Sequence, residues 1–246
     1  MRFLAKIATL FRRRLISDEL AEWALESYAL LIKDCGLEAR FPTFPLILPT
    51  RRFFTAPTGR SHETAEAVFA DVKRLMGLEK RAYHLHRMPE KVENIDNHNY
   101  QDLTQVAGTF QAEGNDAIIS YSPETMHIPL NFIATLAHEL AHDMLPPPAT
   151  VDDLPEHEMH TDFMCIVMGF GVIQALGARQ AGWAGYLSNE LRMFALAIFL
   201  KLQDIPAAQA LTAFDANLGK KLKRGIMQLE AMPTAFQDLE MAIMQG

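Results

Sequence analysis

Two histidines and a glutamate stand close together in the stretch LAHELAHDMLPPP, residues 136–148. In an α-helix, His138 and His142 lie one above the other on the same face, about 6 Å apart. Two neutral imidazoles that converge in this way are good ligands for Zn²⁺. Glu139 projects to the side of such a metal, so its position predicts a general base and not a ligand. The alternative is a pair of unrelated histidines in a helical core.

The residues around this motif predict a rigid, buried helix. Three prolines at 146–148 cannot continue the helix, so the chain must leave it sharply. The apolar residues that would bury the helix are Leu136, Ala137, Leu140 and Ala141. A buried helix of this kind holds metal ligands in register.

A catalytic zinc site takes three protein ligands and leaves its fourth position to water. The third ligand is sought in DDLPEHEMHTDF, residues 152–163, which predicts a second helix with Asp153 as its N-cap. Glu158 and Asp162 lie one turn apart on one face of that helix. Glu158 is predicted as the metal ligand, and Asp162 as the carboxylate that accepts an N–H from a ligating histidine. The rival ligands in the same stretch are Glu156, His157 and His160.

The HELAH motif at 138–142, followed on a second helix by Glu158-x-x-x-Asp162, resembles the gluzincin branch of the zincin metallopeptidases. The resemblance covers roughly residues 116–170, and it implies that two histidines and a glutamate bind zinc. The metzincin pattern does not fit, because the residues after His142 lack the required glycine and third histidine. In zincins an edge strand beside the active helix pairs with the substrate, and residues 117–121 resemble that strand.

These features predict a zinc-dependent metallopeptidase that hydrolyses peptide bonds with metal-activated water and Glu139 as the base. The expected partner is a peptide or protein substrate. The alternative is a catalytically silent, zincin-like scaffold or sensor domain, against which the intact Glu139 argues. Spacing does not choose the residue that stabilises the oxyanion, for which the candidates include Tyr186, His157 and His160.

Composition narrows the class of protein. The chain has 246 residues, 49% of them hydrophobic, which suits a globular domain with a sizeable core. A net charge of −7 disfavours a nucleic-acid binder, which needs a basic face. The two cysteines, Cys35 and Cys165, lie in apolar helical patterns and indicate buried thiols in a reducing, cytoplasmic compartment. No transmembrane segment is expected.

The N-terminal residues 1–16 form a basic amphipathic segment that lacks the cleavage site of a secretory signal. Two interpretations stay open: a surface helix that packs on its own domain, or weak contact with an anionic membrane surface. The remaining residues, 17–246, are predicted to form a single zincin-like domain.

The periodicity of the chain predicts an α+β fold. Helical spacing runs from Ser17 to Gly36 and again from Ser61 to Met76. Alternation between residues 79 and 121 predicts a small twisted, largely antiparallel sheet that packs with the HELAH helix. The mixed part of the domain spans about 17–130, and the part from about 131 to 246 is predicted to be helical.

Overall fold

The computed structural model describes residues 14–89, 107–114, 116–182 and 185–244. Within these ranges the chain forms three strands and nine α-helices, which confirms the predicted α+β class. The strands are β1 (Tyr83–Arg87), β2 (Gly108–Glu113) and β3 (Asp116–Tyr121). The helices are α1 (Asp18–Asp34), α2 (His62–Met76), α3 (Pro129–His142), α4 (Leu154–Cys165), α5 (Gly171–Gln180), α6 (Asn189–Leu202), α7 (Ala207–Leu211), α8 (Ala216–Glu230) and α9 (Pro233–Met244).

Serine side chains cap the starts of the first two helices, and a glycine caps the end of the second. The Ser17 hydroxyl accepts a hydrogen bond from the Leu20 amide at 3.3 Å, and Ser61 accepts one from the Thr64 amide at 3.2 Å. Gly77 ends α2 in the left-handed conformation, with φ 69°. Local sequence therefore determines where both helices begin and where α2 ends.

The sheet is mixed, with strand order β1-β3-β2. β1 runs parallel to β3, whereas β2 is antiparallel to it. The prediction of a largely antiparallel sheet is therefore wrong for β1, because alternation identifies a strand without giving its direction. The prediction that residues 117–121 form an edge strand is also wrong, since β3 is hydrogen-bonded on both sides. Residues 1–13 and 90–106 lie outside the described part of the chain.

The core is formed mainly by α3, α5 and α6, with α1 and α4 packed around them. α4 and α5 are joined by a π-helical turn, Ile166–Phe170, and the non-helical backbone of Gly169 in this turn kinks the run Val151–Gln180. This run is long and apolar enough to cross a membrane by length and composition alone. Its most apolar window is 94% buried inside the protein, as is usual for the core helix of a globular domain.

An extended segment, residues 44–48, crosses this long run at the π-helical turn. Gly169 adopts φ 89° there, and a Cβ at this position would collide with the carbonyl oxygen of Pro45. The Ile47 amide donates a hydrogen bond to the Gly169 carbonyl at 3.0 Å. Only glycine permits such a close approach of the two backbones at a positive φ.

The HELAH helix α3 is fixed near both ends. Near its start, Gly177 of α5 packs so closely that a Cβ there would lie 2.7 Å from the Leu130 carbonyl oxygen. Asp143 directly follows its last residue and accepts a hydrogen bond from the Tyr83 hydroxyl at 2.6 Å. Asp143 also pairs with Arg81, so the chain around β1 holds the end of α3 that carries His142.

Candidate metal centre

α3 and α4 bring three predicted ligands to one point. His138, His142 and Glu158 each offer a ligand atom, and these atoms all lie within 4.8 Å of one another. The Oε2 atom of Glu158 lies 3.0 Å from His138 Nε2 and 3.6 Å from His142 Nε2. Two imidazole nitrogens and one carboxylate oxygen are a donor set that suits Zn²⁺, so the residues present fit this metal.

Asp162 lies behind this group, where it was predicted. Its Oδ1 atom accepts a hydrogen bond from His138 Nδ1 at 2.9 Å, which directs the Nε2 atom of His138 toward Glu158. Its Oδ2 atom accepts the Tyr186 amide at 2.7 Å and lies 3.6 Å from an Arg192 nitrogen. Asp162 and Arg192 are both almost fully buried, so the carboxylate has little freedom to turn away from His138.

The rival ligands point elsewhere. His157 bonds to the Pro146 carbonyl at 3.1 Å, and its ring stacks on His142. His160 stacks on Trp23, and Glu156 is exposed to solvent. Among the described residues, the three-ligand group therefore contains none of these rivals.

Asp153 occupies the N-cap position of α4, as predicted. The Asp153 side chain makes no capping bond to α4. It instead accepts hydrogen bonds from the amide and hydroxyl of Thr150, at 2.9 and 2.8 Å, in a capping box around a short 3₁₀ turn. This turn directly precedes α4, and the Asp153 side chain forms its hydrogen bonds within the turn and not with the helix.

Glu139 is buried beside the ligand group and next to β2. It is 6% exposed, and a Cβ placed on Gly108 would lie 2.7 Å from its Oε1 atom. The glycine therefore leaves the space that the carboxylate occupies. β2 pairs only with β3 among the described strands, so its outer edge is not paired with another described strand.

Aromatic rings surround the two histidines. Tyr186 stacks on His138 with ring centroids 5.7 Å apart, and Phe110 of β2 stacks on His142 at 6.2 Å. Tyr186 is 55% exposed, so its ring lies at the mouth of the site. Burial, together with the charge of Glu158, raises the pKa of its hydroxyl. The Tyr186 hydroxyl is therefore protonated at neutral pH and can donate a hydrogen bond.

The charges of the site follow from burial and from these contacts. Burial alone would lower the pKa of His138, but its hydrogen bonds to Asp162 and Glu158 raise it to about 10. Burial and the charge of His138 lower the pKa of His142 to about 4. Without a metal, the site at pH 7 thus holds one imidazolium between two carboxylates, and one neutral imidazole.

The two glutamates are shifted in opposite directions. Burial raises the pKa of Glu139 to about 7, although the charge of His138 opposes the shift. Burial also acts to raise the pKa of Glu158, but hydrogen bonding to His138 and the charge of His142 keep it below its ordinary value. Glu158 is ionised and ready to bind a cation, while Glu139 has the pKa of a proton acceptor that works near neutrality.

No protein-family model, curated protein or solved structure matches this chain.

Three residues of the site were not predicted from the sequence. Gly108 makes room for Glu139, Arg192 pairs with Asp162, and Thr161 has its hydroxyl 3.5 Å from His142 Nδ1. The sequence does carry a signal for Arg192, because this residue is the single charge in the otherwise apolar run LRMFALAIFL, residues 191–200. An isolated arginine in a buried helix implies an acidic partner in the core.

The two cysteines are free, as expected. Burial raises the pKa of the Cys35 thiol to about 11, and this thiol donates a hydrogen bond to the Met144 carbonyl at 3.1 Å. Cys165 is fully buried. Neither cysteine belongs to the ligand group.

Proposed function

We propose that this chain is a zinc-dependent peptidase of the gluzincin type. The observation that carries the proposal is the convergence of His138, His142 and Glu158 on one point, with the buried Glu139 beside them. A metal site that serves structure alone closes its coordination with four protein ligands and needs no base. Three ligands and an adjacent carboxylate of raised pKa are instead the parts of a hydrolytic site.

When bound, the zinc ion would supply Lewis acidity to polarise a peptide carbonyl and to acidify water. Glu139 would accept the proton of the attacking water and pass it to the leaving amine. In the metal-free site burial raises the pKa of Glu139 to about 7, and a bound cation would favour its ionised form, which is the form that accepts a proton. Asp162 would hold His138 in the orientation that presents Nε2 to the metal.

β2 is the proposed recognition strand for an extended substrate. β2 contacts Glu139 at Gly108, and its outer edge is not paired with another described strand, so a peptide that added to this edge would extend the strand that touches the base. Residues 117–121, which the sequence predicted for this role, are excluded because they lie in β3, which is already paired on both sides. The Tyr186 hydroxyl, at the mouth of the site, is the proposed donor to the developing oxyanion.

Two substitutions test the metal and the base separately. The Glu158→Ala variant should lose bound zinc, measured by elemental analysis of the purified protein, because two histidines alone are an incomplete site. The Glu139→Gln variant should keep its zinc but lose hydrolysis of quenched fluorescent peptides by about 10²–10⁴-fold. Glu156→Gln is the matched control, since Glu156 is an exposed carboxylate on the same helix as Glu158.

Hydrolysis by Glu139→Gln at the wild-type rate would refute the mechanism. Zinc bound with unchanged stoichiometry by Glu158→Ala would show that the ligand set is wrong. A protein that binds one zinc per chain yet cleaves no peptide, in the wild type as in the Glu139 variant, would support the silent scaffold or sensor instead.

A further inference from the structure

A second cavity, separate from the metal centre, lies between the loop 49–60 and the first turns of α2 and α3. Its volume is about 580 Å³. Sites that bind small organic ligands have volumes of roughly 300–1,000 Å³, so this cavity is of the right size. Leu130, which lines it, stands eight residues before His138 on α3, a distance of about 12 Å along the helix.

The wall of the cavity is apolar. Its apolar surface is contributed mainly by side chains from three parts of the chain: Phe54, Val68, Met126, Leu130, Phe132 and Ile133. Met126, Phe132 and Ile133 are buried, while Val68 and Leu130 are half-buried and face open space. An apolar cavity that opens to solvent gains free energy when a hydrocarbon group fills it.

The charged side chains that line this cavity are positive. Arg51 and Arg60 line it, whereas no lining residue is acidic, in a chain whose net charge is −7. Neither arginine forms an ion pair with a carboxylate of the described residues. Arg51 donates to the Ala56 carbonyl at 2.6 Å, and Arg60 Nη1 lies 3.0 Å from His127 Nε2. Each guanidinium has five N–H groups, so donors remain for an anion.

We propose that this cavity binds a small amphipathic anion, with a hydrocarbon body in the apolar interior and a carboxylate at Arg51 and Arg60. The arginines provide planar N–H groups that match a carboxylate, and the apolar side chains of the wall match a hydrocarbon chain. Both features are needed: the charge gives preference for an anion, and the wall gives preference for a chain of carbons. This proposal is independent of the peptidase activity.

The probe is decanoate, with decyltrimethylammonium as the cation of the same chain length, in titration calorimetry on the full chain. Decanoate should bind with one site per chain and much more tightly than the cation. Hexanoate, four methylene groups shorter, should bind on the order of 100-fold more weakly if the chain is buried. Equal affinity for decanoate and the cation would overturn the proposal, and so would equal affinity for decanoate and hexanoate.

Substitutions locate the binding within the cavity. The double variant Arg51→Gln, Arg60→Gln should weaken decanoate binding by about tenfold or more, since charge-assisted hydrogen bonds are lost. Arg52→Gln is the matched control, because Arg52 lies over the Phe53 ring and does not line the cavity. An equal loss in Arg52→Gln, or no loss in the double variant, would refute the assignment to this cavity.

A bulky side chain should block the cavity without removing charge. Val68→Phe places a ring in the empty space, and Thr58→Trp does so from an exposed position at the mouth, where folding is not at risk. Circular dichroism verifies the fold of both variants. Decanoate bound at wild-type affinity by the folded variants would overturn the proposal.

Discussion

Binding of zinc should release protons, and the number released follows from the charges of the metal-free site. His138, with a pKa of about 10, is almost completely protonated at pH 7. A metal can take the His138 Nε2 atom only if the proton between this atom and Glu158 leaves. His142, with a pKa of about 4, is already neutral at pH 7 and contributes no proton.

Glu139 contributes a smaller part of the protons released on zinc binding. With a pKa of about 7, it is about half protonated at pH 7, and a cation nearby would ionise it. Zinc binding should therefore release about 1.5 protons at pH 7 and about 1.1 at pH 8, where Glu139 has already lost most of its proton. In Glu139→Gln the release should be about one proton at both pH values.

The sign of the pH effect on affinity follows from the raised pKa of His138. Protons compete with zinc at every pH below about 10, so affinity should rise with pH. One displaced proton corresponds to about tenfold in affinity, or about 1.4 kcal/mol, for each pH unit between 7 and 9. From pH 9 down to pH 7, the zinc affinity of Glu139→Gln should fall by about 100-fold.

Calorimetry in several buffers of different ionisation enthalpy measures the protons released at one pH, and chelator competition measures the affinity. Both should be done on the wild type, on Glu139→Gln and on the control Glu156→Gln, which should behave as the wild type. Release of less than about half a proton at pH 7 would refute the protonated state of His138 or its role as a ligand. Equal release by the wild type and by Glu139→Gln would contradict the raised pKa of Glu139.

Three further predictions concern residues around the ligand group. Gly108→Ala should push the Glu139 carboxylate from its position and lower kcat by at least about tenfold while zinc content stays unchanged; wild-type kcat would show that the close approach has no role. Tyr186→Phe should lower kcat by about 10²–10³-fold with little change in zinc affinity, and a loss of zinc would instead make Tyr186 a structural residue of the site. Tyr83→Phe removes the hydrogen bond to Asp143 and should lower the free energy of unfolding by about 1–2 kcal/mol in urea denaturation; an unchanged midpoint would mean that β1 does not stabilise the end of α3.

Individual helices could be predicted from the sequence because the signals that define them come from residues close together in the chain. Helix α2 is capped by Ser61 at its start and by Gly77 at its end, through contacts between residues close in the chain. The same holds for His138 and His142, which share a face of α3 because the helix repeats every 3.6 residues. Glu158 and Asp162 were predicted by the same argument on α4, and in the structure Glu158 lies beside the two histidines while Asp162 accepts a hydrogen bond from His138.

The sequence by itself determined helices such as α2 and α3 and the placement of His138, Glu139 and His142 on α3, since each depends on neighbours within a few residues. Only the tertiary structure decided that β1 runs parallel to β3, that β2 and not β3 lies at the edge, and that Gly108 faces Glu139. It also decided that Arg192 stands behind Asp162, although the two are thirty residues apart. Strand direction and contacts between distant segments depend on the packing of the whole core, and periodicity along one segment carries no information about them.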